Sequence, residues 1–340
     1  MVHFEQAPPE ARQLLPVRIR DLGLSLERSP VAILVRRLYT ELEEKGLRHF
    51  RPLCYLSDEW GSPSGQPVIG IPFYLGDPRV SRLEEAVNDV EGEREIMMYL
   101  RHEAGHAFNH AYELWSTDEW KALFGSTKKP YKDDFAFTPF SRDFVRYIPG
   151  WYAQKHPDED FAETFAVWLD PESNWQTRYG RWRAIKKLKY VDRIASTLGS
   201  IPPPRRDGET DITVDEMHQT VEEFYQQWQI DEKPLLEGLA LDVDLMDIFP
   251  GSNGETRPAA DVVAANRRAL VDKIHYWTGV RRTLVRELVL RIEQRIGEIG
   301  LVTRVKRGDE ELVELTAYIT TLAMTFLIGQ KPLRHRRKKH

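Results

Sequence analysis

Two histidines four positions apart, with a glutamate directly after the first, stand in the segment His102-Glu103-Ala104-Gly105-His106. On a helix of 3.6 residues per turn such positions face the same way, so His102 and His106 can offer ring nitrogens to one ion at about 2.0–2.1 Å. Glu103 lies one step around, beside the ion and not on it. A carboxylate there can take a proton from water whose pKa zinc lowers to about 7, then hand it to a leaving amine. The pattern therefore points to metal-assisted hydrolysis, with His102 and His106 as ligands and Glu103 as the base.

Zinc held by two His needs at least one more protein ligand, and a catalytic site keeps a position open for water. His110 lies eight residues from His102, roughly 12 Å along a continuous helix, which is too far to share one ion. It is expected to line the cleft. Asn109 and Tyr112 occupy the positions where a metzincin carries a glycine and a third His, so that form is excluded. Carboxylates come instead from the stretch His156-Pro157-Asp158-Glu159-Asp160-Phe161-Ala162-Glu163. Glu159 and Glu163 share one helical face, with Ala162 and Ala166 beside them to let a second helix approach. One Glu on zinc with the other behind it, accepting from a ligand imidazole, fits this spacing. The simpler reading is that Asp158, Glu159 and Asp160 complement the positive end of a helix, and both can hold together.

The elements that must position these groups are mostly helical. Ile96, Leu100, Ala104, Ala107, Ala111 and Leu114 form an apolar stripe widened by Met97, Met98, Phe108 and Tyr112. That leaves Glu95, His102, His106, Asn109 and Glu113 on a narrow polar face, the pattern of a buried helix turned toward a cleft and not of a solvated surface strip. The periodicity predicts helices over Val31–Leu47, Glu93–Trp115, Asp158–Asp170 and Arg181–Leu198, with short strands at Pro52–Leu56 and Val68–Leu75. Residues 116–150 read as irregular, either a substrate-facing loop or a surface excursion. Beyond the run Pro202-Pro203-Pro204-Arg205-Arg206-Asp207-Gly208, further helices are expected from Thr213 toward Gln229 and over Ala259–Trp277, Arg282–Ile299 and Asp309–Ile328. The expected order is a catalytic domain over 1–201, a linker over 202–209, an all-α domain over 210–330 and a basic tail over 331–340.

Composition narrows the classes further. With 340 residues and 41% hydrophobic content the chain can bury one large core or two ordinary ones. A net charge of −5 lacks the basic excess of nucleic-acid binders, and the terminal basic run from Lys331 to Lys339 reads as a solvated tail. Cys54 is the single cysteine, which excludes an internal disulfide and a thiolate-cluster zinc site, so a metal must use His and carboxylates. The N-terminus lacks a secretory pattern, and the longest apolar stretch, Ala317–Gly329, is too short to span a bilayer. No membrane span and a cytoplasmic address are expected.

His102-Glu103-x-x-His106 followed by His156-Pro157-x-Glu159-Asp160-x-Ala162-Glu163 resembles the zinc-binding metallopeptidase family of bacteria. The likeness runs over about Val31–Leu198 and includes Trp182 and the segment Lys186-Lys187-Leu188-Lys189-Tyr190-Val191-Asp192. The stretch Glu159–Phe165 is also similar to the second zinc helix of lethal-factor-like toxin peptidases within the gluzincin group. This resemblance implies an α+β, zincin-like fold with a twisted sheet packed on helices and the active-site helix beneath its edge strand. It implies one Zn2+ held by His102, His106 and Glu159, with Glu163 supporting from behind. Tyr152, seven residues before Glu159, takes the place of the oxyanion-stabilising tyrosine, with Tyr147 as a substitute. Peptide or protein substrates follow from the family. A zinc hydrolase of non-peptide amides or esters is the nearest alternative. The other is a zinc-stabilised interaction protein that docks a protein partner through the helical C-terminal region.

Overall fold

Leu34, Val35, Leu38 and Leu42 recur at helical steps and are buried on one face of the helix Ala32–Glu44. In the computed structural model the described residues are 4–88, 90–132, 135–227, 241–251, 255–304 and 308–329. The basic run Lys331–Lys339 lies outside them. Gly46, with φ of 86°, turns the chain toward strand β1, Leu53–Ser57, which pairs in parallel with β2, Val68–Pro72, in the register Leu53↔Val68 to Ser57↔Pro72. β2 is buried throughout, as the run Val68-Ile69-Gly70-Ile71 suggests. It ends at Pro72, earlier than the expected Leu75, because proline has no N–H for the ladder and the chain enters a 3-10 turn over Phe73–Gly76.

A helix over Pro78–Val87 leads to the histidine helix, Glu93–Ala111, whose first turn is steadied by a Gly92 N–H bond to the Glu95 carboxylate at 2.9 Å. The acid helix spans Pro157–Leu169, with Pro157 in its first turn where a missing N–H costs nothing. The two cross closely. A Cβ on Gly105 would stand 2.8 Å from the Ala162 Cα and 2.9 Å from the Ala162 carbonyl oxygen, so only glycine admits this approach. Phe108 and Phe165 stack beside the crossing at 5.1 Å, and Trp168 donates to Asp192 on the helix Ile185–Leu198 at 2.9 Å.

The architecture is mixed, with many helices and, in this part of the chain, a small two-stranded parallel sheet, consistent with an α+β chain. Several local expectations shift. The stretch 116–150 contains a helix, Asp118–Phe124, capped by Thr117, whose Oγ1 accepts from the Trp120 N–H at 3.3 Å. Thr213 and Glu216 do form their reciprocal cap, but on a single 3-10 turn. The next helix, Val221–Gln227, opens instead at the second copy of the same signature, Thr220 with Glu223. Gln229 lies outside the described residues.

The chain divides into two compact units, residues 1–229 and 230–340. The Pro-rich run therefore lies within the first unit, where the backbone around it is tied down. Arg205 N–H donates to the Ala111 carbonyl at 3.2 Å, its guanidinium to the Gly65 carbonyl at 2.6 Å, and Ser57 to the Ile212 carbonyl at 2.7 Å. The second unit contains helices over Asp242–Ile248, Ala259–Thr278, Arg282–Ile299 and Gly308–Gly329. It is not entirely helical, since β3, Thr256–Pro258, pairs antiparallel with β4, Val302–Arg304. Among the described residues, no helix is long and apolar enough to cross a membrane.

Candidate metal centre

His102 and His106 project from the histidine helix toward Glu159 on the acid helix, and all three are buried. Glu159 Oε2 lies 3.0 Å from His102 Nε2 and 3.1 Å from His106 Nε2, and the two Nε2 atoms are 3.1 Å apart. The other ring nitrogens are already committed. His102 Nδ1 meets Glu163 Oε1 at 3.0 Å and His106 Nδ1 meets Asp158 Oδ2 at 3.1 Å. An ionised carboxylate only accepts, so each Nδ1 carries a proton, and once a cation takes the place of the second proton each ring turns its Nε2 lone pair inward. Two imidazole lone pairs and a carboxylate oxygen then converge on one point, and a cation is what relieves their repulsion. A tetrahedron around zinc with bonds of about 2.0–2.1 Å has edges of roughly 3.3 Å, close to the triangle seen. The donor set fits a divalent transition metal well and calcium or magnesium poorly, since those prefer oxygen.

The charge environment agrees. Burial opposes charge on His102, but its bonds to Glu159 and Glu163 outweigh that and lift its pKa to about 9. Burial likewise works against charge on His106, yet Asp158 and Glu159 hold it well above the ordinary imidazole value. Asp158, although buried, is drawn down to about 2 by His106, and Glu159 is lowered by the same imidazoles. Both effects describe a nest of negative charge that favours a cation. Glu103, one step from His102, is buried, and that burial raises its pKa while His102 and His106 oppose the rise. A carboxylate made more basic beside acidified water is suited to accept a proton.

Glu163 is completely buried and holds more than an imidazole. Its Oε2 accepts the backbone N–H groups of Tyr147 and Ile148 at 3.1 and 3.0 Å, which ties the incoming loop to the rear of the site. Arg101, next to His102, makes a paired bond to Glu41 at 2.7 and 2.8 Å, so the helix Ala32–Glu44 fixes the rotation of the histidine helix. Tyr147 belongs to this network, its hydroxyl donating to Asp170 at 3.1 Å while accepting from Arg101 at 3.0 Å. Tyr152 stands elsewhere, with its ring edge-on to His102 at 5.6 Å. It is aimed by a left-handed turn at Gly150 and Trp151, with φ of 85° and 61°. For Trp151 that conformation costs on the order of 1–3 kcal/mol. Stacking on Phe137 at 6.1 Å and the Arg146 guanidinium 4.3 Å from its ring help hold it.

Two residues escaped the sequence reading. Asp158, read only as helix-end charge, supports His106, receives Asn109 Nδ2 at 2.7 Å and lies 3.7 Å from His110 Nε2. Its position one residue before Glu159 was the available signal. Tyr131, in the irregular stretch, donates its hydroxyl to Glu159 Oε1 at 2.6 Å, and no local spacing announces that. His110, eight residues along as expected, turns its Nδ1 to the Gln66 carbonyl at 3.2 Å and belongs to the wall.

Fold and site define a mixed α+β protein with a buried two-histidine, one-carboxylate centre fit for a metal ion. Residues 71–225 match the model of a family described as putative zinc-binding metallo-peptidase, the family that the motifs resemble. The match contains both motif helices and continues past the Pro-rich run, to the end of the first unit's apolar packing around Phe224 and Tyr225. No match is found among curated proteins or solved structures.

Proposed function

We propose that the chain is a zinc-dependent metallopeptidase in which His102, His106 and Glu159 hold one Zn2+ and Glu103 is the general base. The observation that carries this reading is the convergence of three donor atoms at 3.0–3.1 Å, with both outer ring nitrogens already satisfied by carboxylates. The bound metal would polarise a scissile carbonyl and acidify water. Glu103 accepts the proton released from that water and delivers it to the departing amine. Tyr152 donates its hydroxyl to the oxygen that gains negative charge, and the commitment of Tyr147 to Arg101 and Asp170 favours Tyr152 for the role. Glu163 and Asp158 keep both imidazoles in one tautomer and orientation.

The same reading gives the first unit a zincin-like catalytic arrangement, with the histidine helix packed against the sheet and the acid helix. Peptides or proteins are the substrate class, and a cytoplasmic setting suits a chain whose one cysteine forgoes disulfides. Three protein ligands in the cluster support catalysis over a purely structural site, which ordinarily takes four. Metal analysis of the purified chain, combined with a peptide library read by mass spectrometry with and without chelator, tests it. Stoichiometric zinc with chelator-sensitive cleavage is expected. Zinc-loaded protein that cleaves no peptide but hydrolyses amide or ester substrates would move the activity to a non-peptide hydrolase.

A further inference from the structure

The carboxylate of Glu159 is divided between two tasks. Its Oε2 faces both imidazole Nε2 atoms, while its Oε1 accepts the hydroxyl of Tyr131 at 2.6 Å. A carboxylate with both oxygens free can grip a cation with one or with both, and taking both fills a position that a substrate or water would use. Tyr131 stands where it can settle that choice. The phenol has one proton, and the short bond to Oε1 uses it. Its oxygen lies 3.4 Å from the Tyr152 hydroxyl, a long contact that leaves the Tyr152 proton available for a developing oxyanion.

The rest of the segment is built to keep the hydroxyl there. The Lys155 ammonium sits 4.3 Å from the Tyr131 ring and 5.1 Å from the Tyr152 ring, bridging the two faces. The His156 ring lies 5.4 Å from that of Tyr131, and its Nε2 donates to the Lys129 carbonyl at 3.0 Å, pinning the chain just before it. Tyr131 as a whole is 53% exposed, so it packs little and its placement is not explained by core formation.

We infer that Tyr131 is a positioning residue that reserves Oε1 of Glu159, so that the carboxylate presents only Oε2 to the metal and one coordination position stays exchangeable. This inference rests on the proposed metal centre. Its test reads coordination and not turnover. Metal-free wild type and Tyr131→Phe are titrated with Co2+, whose visible absorption per ion is strong when four-coordinate and weak when five-coordinate. Wild type is expected to give the strong spectrum, and Tyr131→Phe to lose about half of that intensity or more as Oε1 joins the ion. Tyr152→Phe, which leaves the Tyr131–Glu159 bond in place, keeps the wild-type spectrum. Far-ultraviolet circular dichroism confirms that each variant is folded. Superimposable wild-type and Tyr131→Phe spectra overturn the inference alone, whereas wild type that takes up no Co2+ overturns the metal reading on which it depends.

Discussion

The crossing of the histidine and acid helices and the pairing of Ala259–Thr278 with Arg282–Ile299 bury helical faces by opposite chemistry. In the second unit the interior is Val263, Leu270, Val271 and Ile274 against Leu284, Val285, Leu288, Val289, Ile292 and Ile296. Its ion pairs, such as Arg267 with Glu293 and Arg295 with Asp242, keep to partly exposed positions. The first unit buries His102, Glu103, His106, Asn109, His110, Glu159, Asp160 and Glu163 at its crossing. Groups of that kind are costly to desolvate, and each must be answered by a partner. Lys187 answers Asp160 at 2.6 Å, Arg101 answers Glu41, and Glu159 and Glu163 answer the His102 imidazole. Burial still pushes Asp160 up to about 7 against the pull of Lys187. One helix pair thus stores stability and the other spends some of it on chemistry.

The sharpest way to break this contrast is at Glu103. Glu103→Gln should retain stoichiometric metal by elemental analysis yet lose about 10²–10⁴-fold in turnover, the usual share of a general base. Unimpaired hydrolysis by the metal-loaded variant would remove Glu103 from the role. In the apolar pair, Leu288→Ala should cost about 2–5 kcal/mol in the unfolding of the second unit, measured by denaturant titration, with metal affinity unchanged. Gly105→Ala replaces the residue that intrinsically costs a helix about 1 kcal/mol, so by propensity alone it should stabilise. Because the new methyl meets the Ala162 backbone, we expect instead a net loss of about 1–3 kcal/mol, together with weaker metal binding. A stabilised Gly105→Ala would show that the helices do not cross as closely as described.

Smaller effects sharpen the picture. Glu163→Gln should weaken metal binding about 10–100-fold in chelator competition, since an amide orients the His102 imidazole poorly. Equal affinity would limit Glu163 to holding the loop through Tyr147 and Ile148. Cys54 offers the mildest probe. Burial lifts its thiol to about 11, with the Tyr39 hydroxyl and Arg51 opposing the rise. Above its ordinary value near 8.5 a free thiol is largely thiolate, but Cys54 stays protonated there and should react with thiol reagents at pH 9 only after unfolding. Rapid labelling of native protein would contradict its burial.

Local periodicity was enough to identify the working helices. The four-residue spacings of His102 with His106 and of Glu159 with Glu163 are properties of a helix, so co-facial side chains could be read without coordinates. The boundaries Arg282–Ile299 agree with the expected ones at both ends: the apolar period marks the extent of the helix, and Gly300, with φ of 75°, ends it. The small residues Gly105 and Ala162 are also written in the chain, but that they meet is a fact of the crossing. What only the tertiary structure decided is which groups from distant segments complete the site: Tyr131 on Glu159, Asp158 on His106, and Tyr147 drawn away to Arg101 and Asp170. It also decided that the Pro-rich run lies against the first unit and does not stand apart as a spacer. The physical reason is range. A helix repeats its geometry every turn, whereas the path of an irregular loop is chosen by whichever buried carboxylate or backbone donor across the fold still needs a partner.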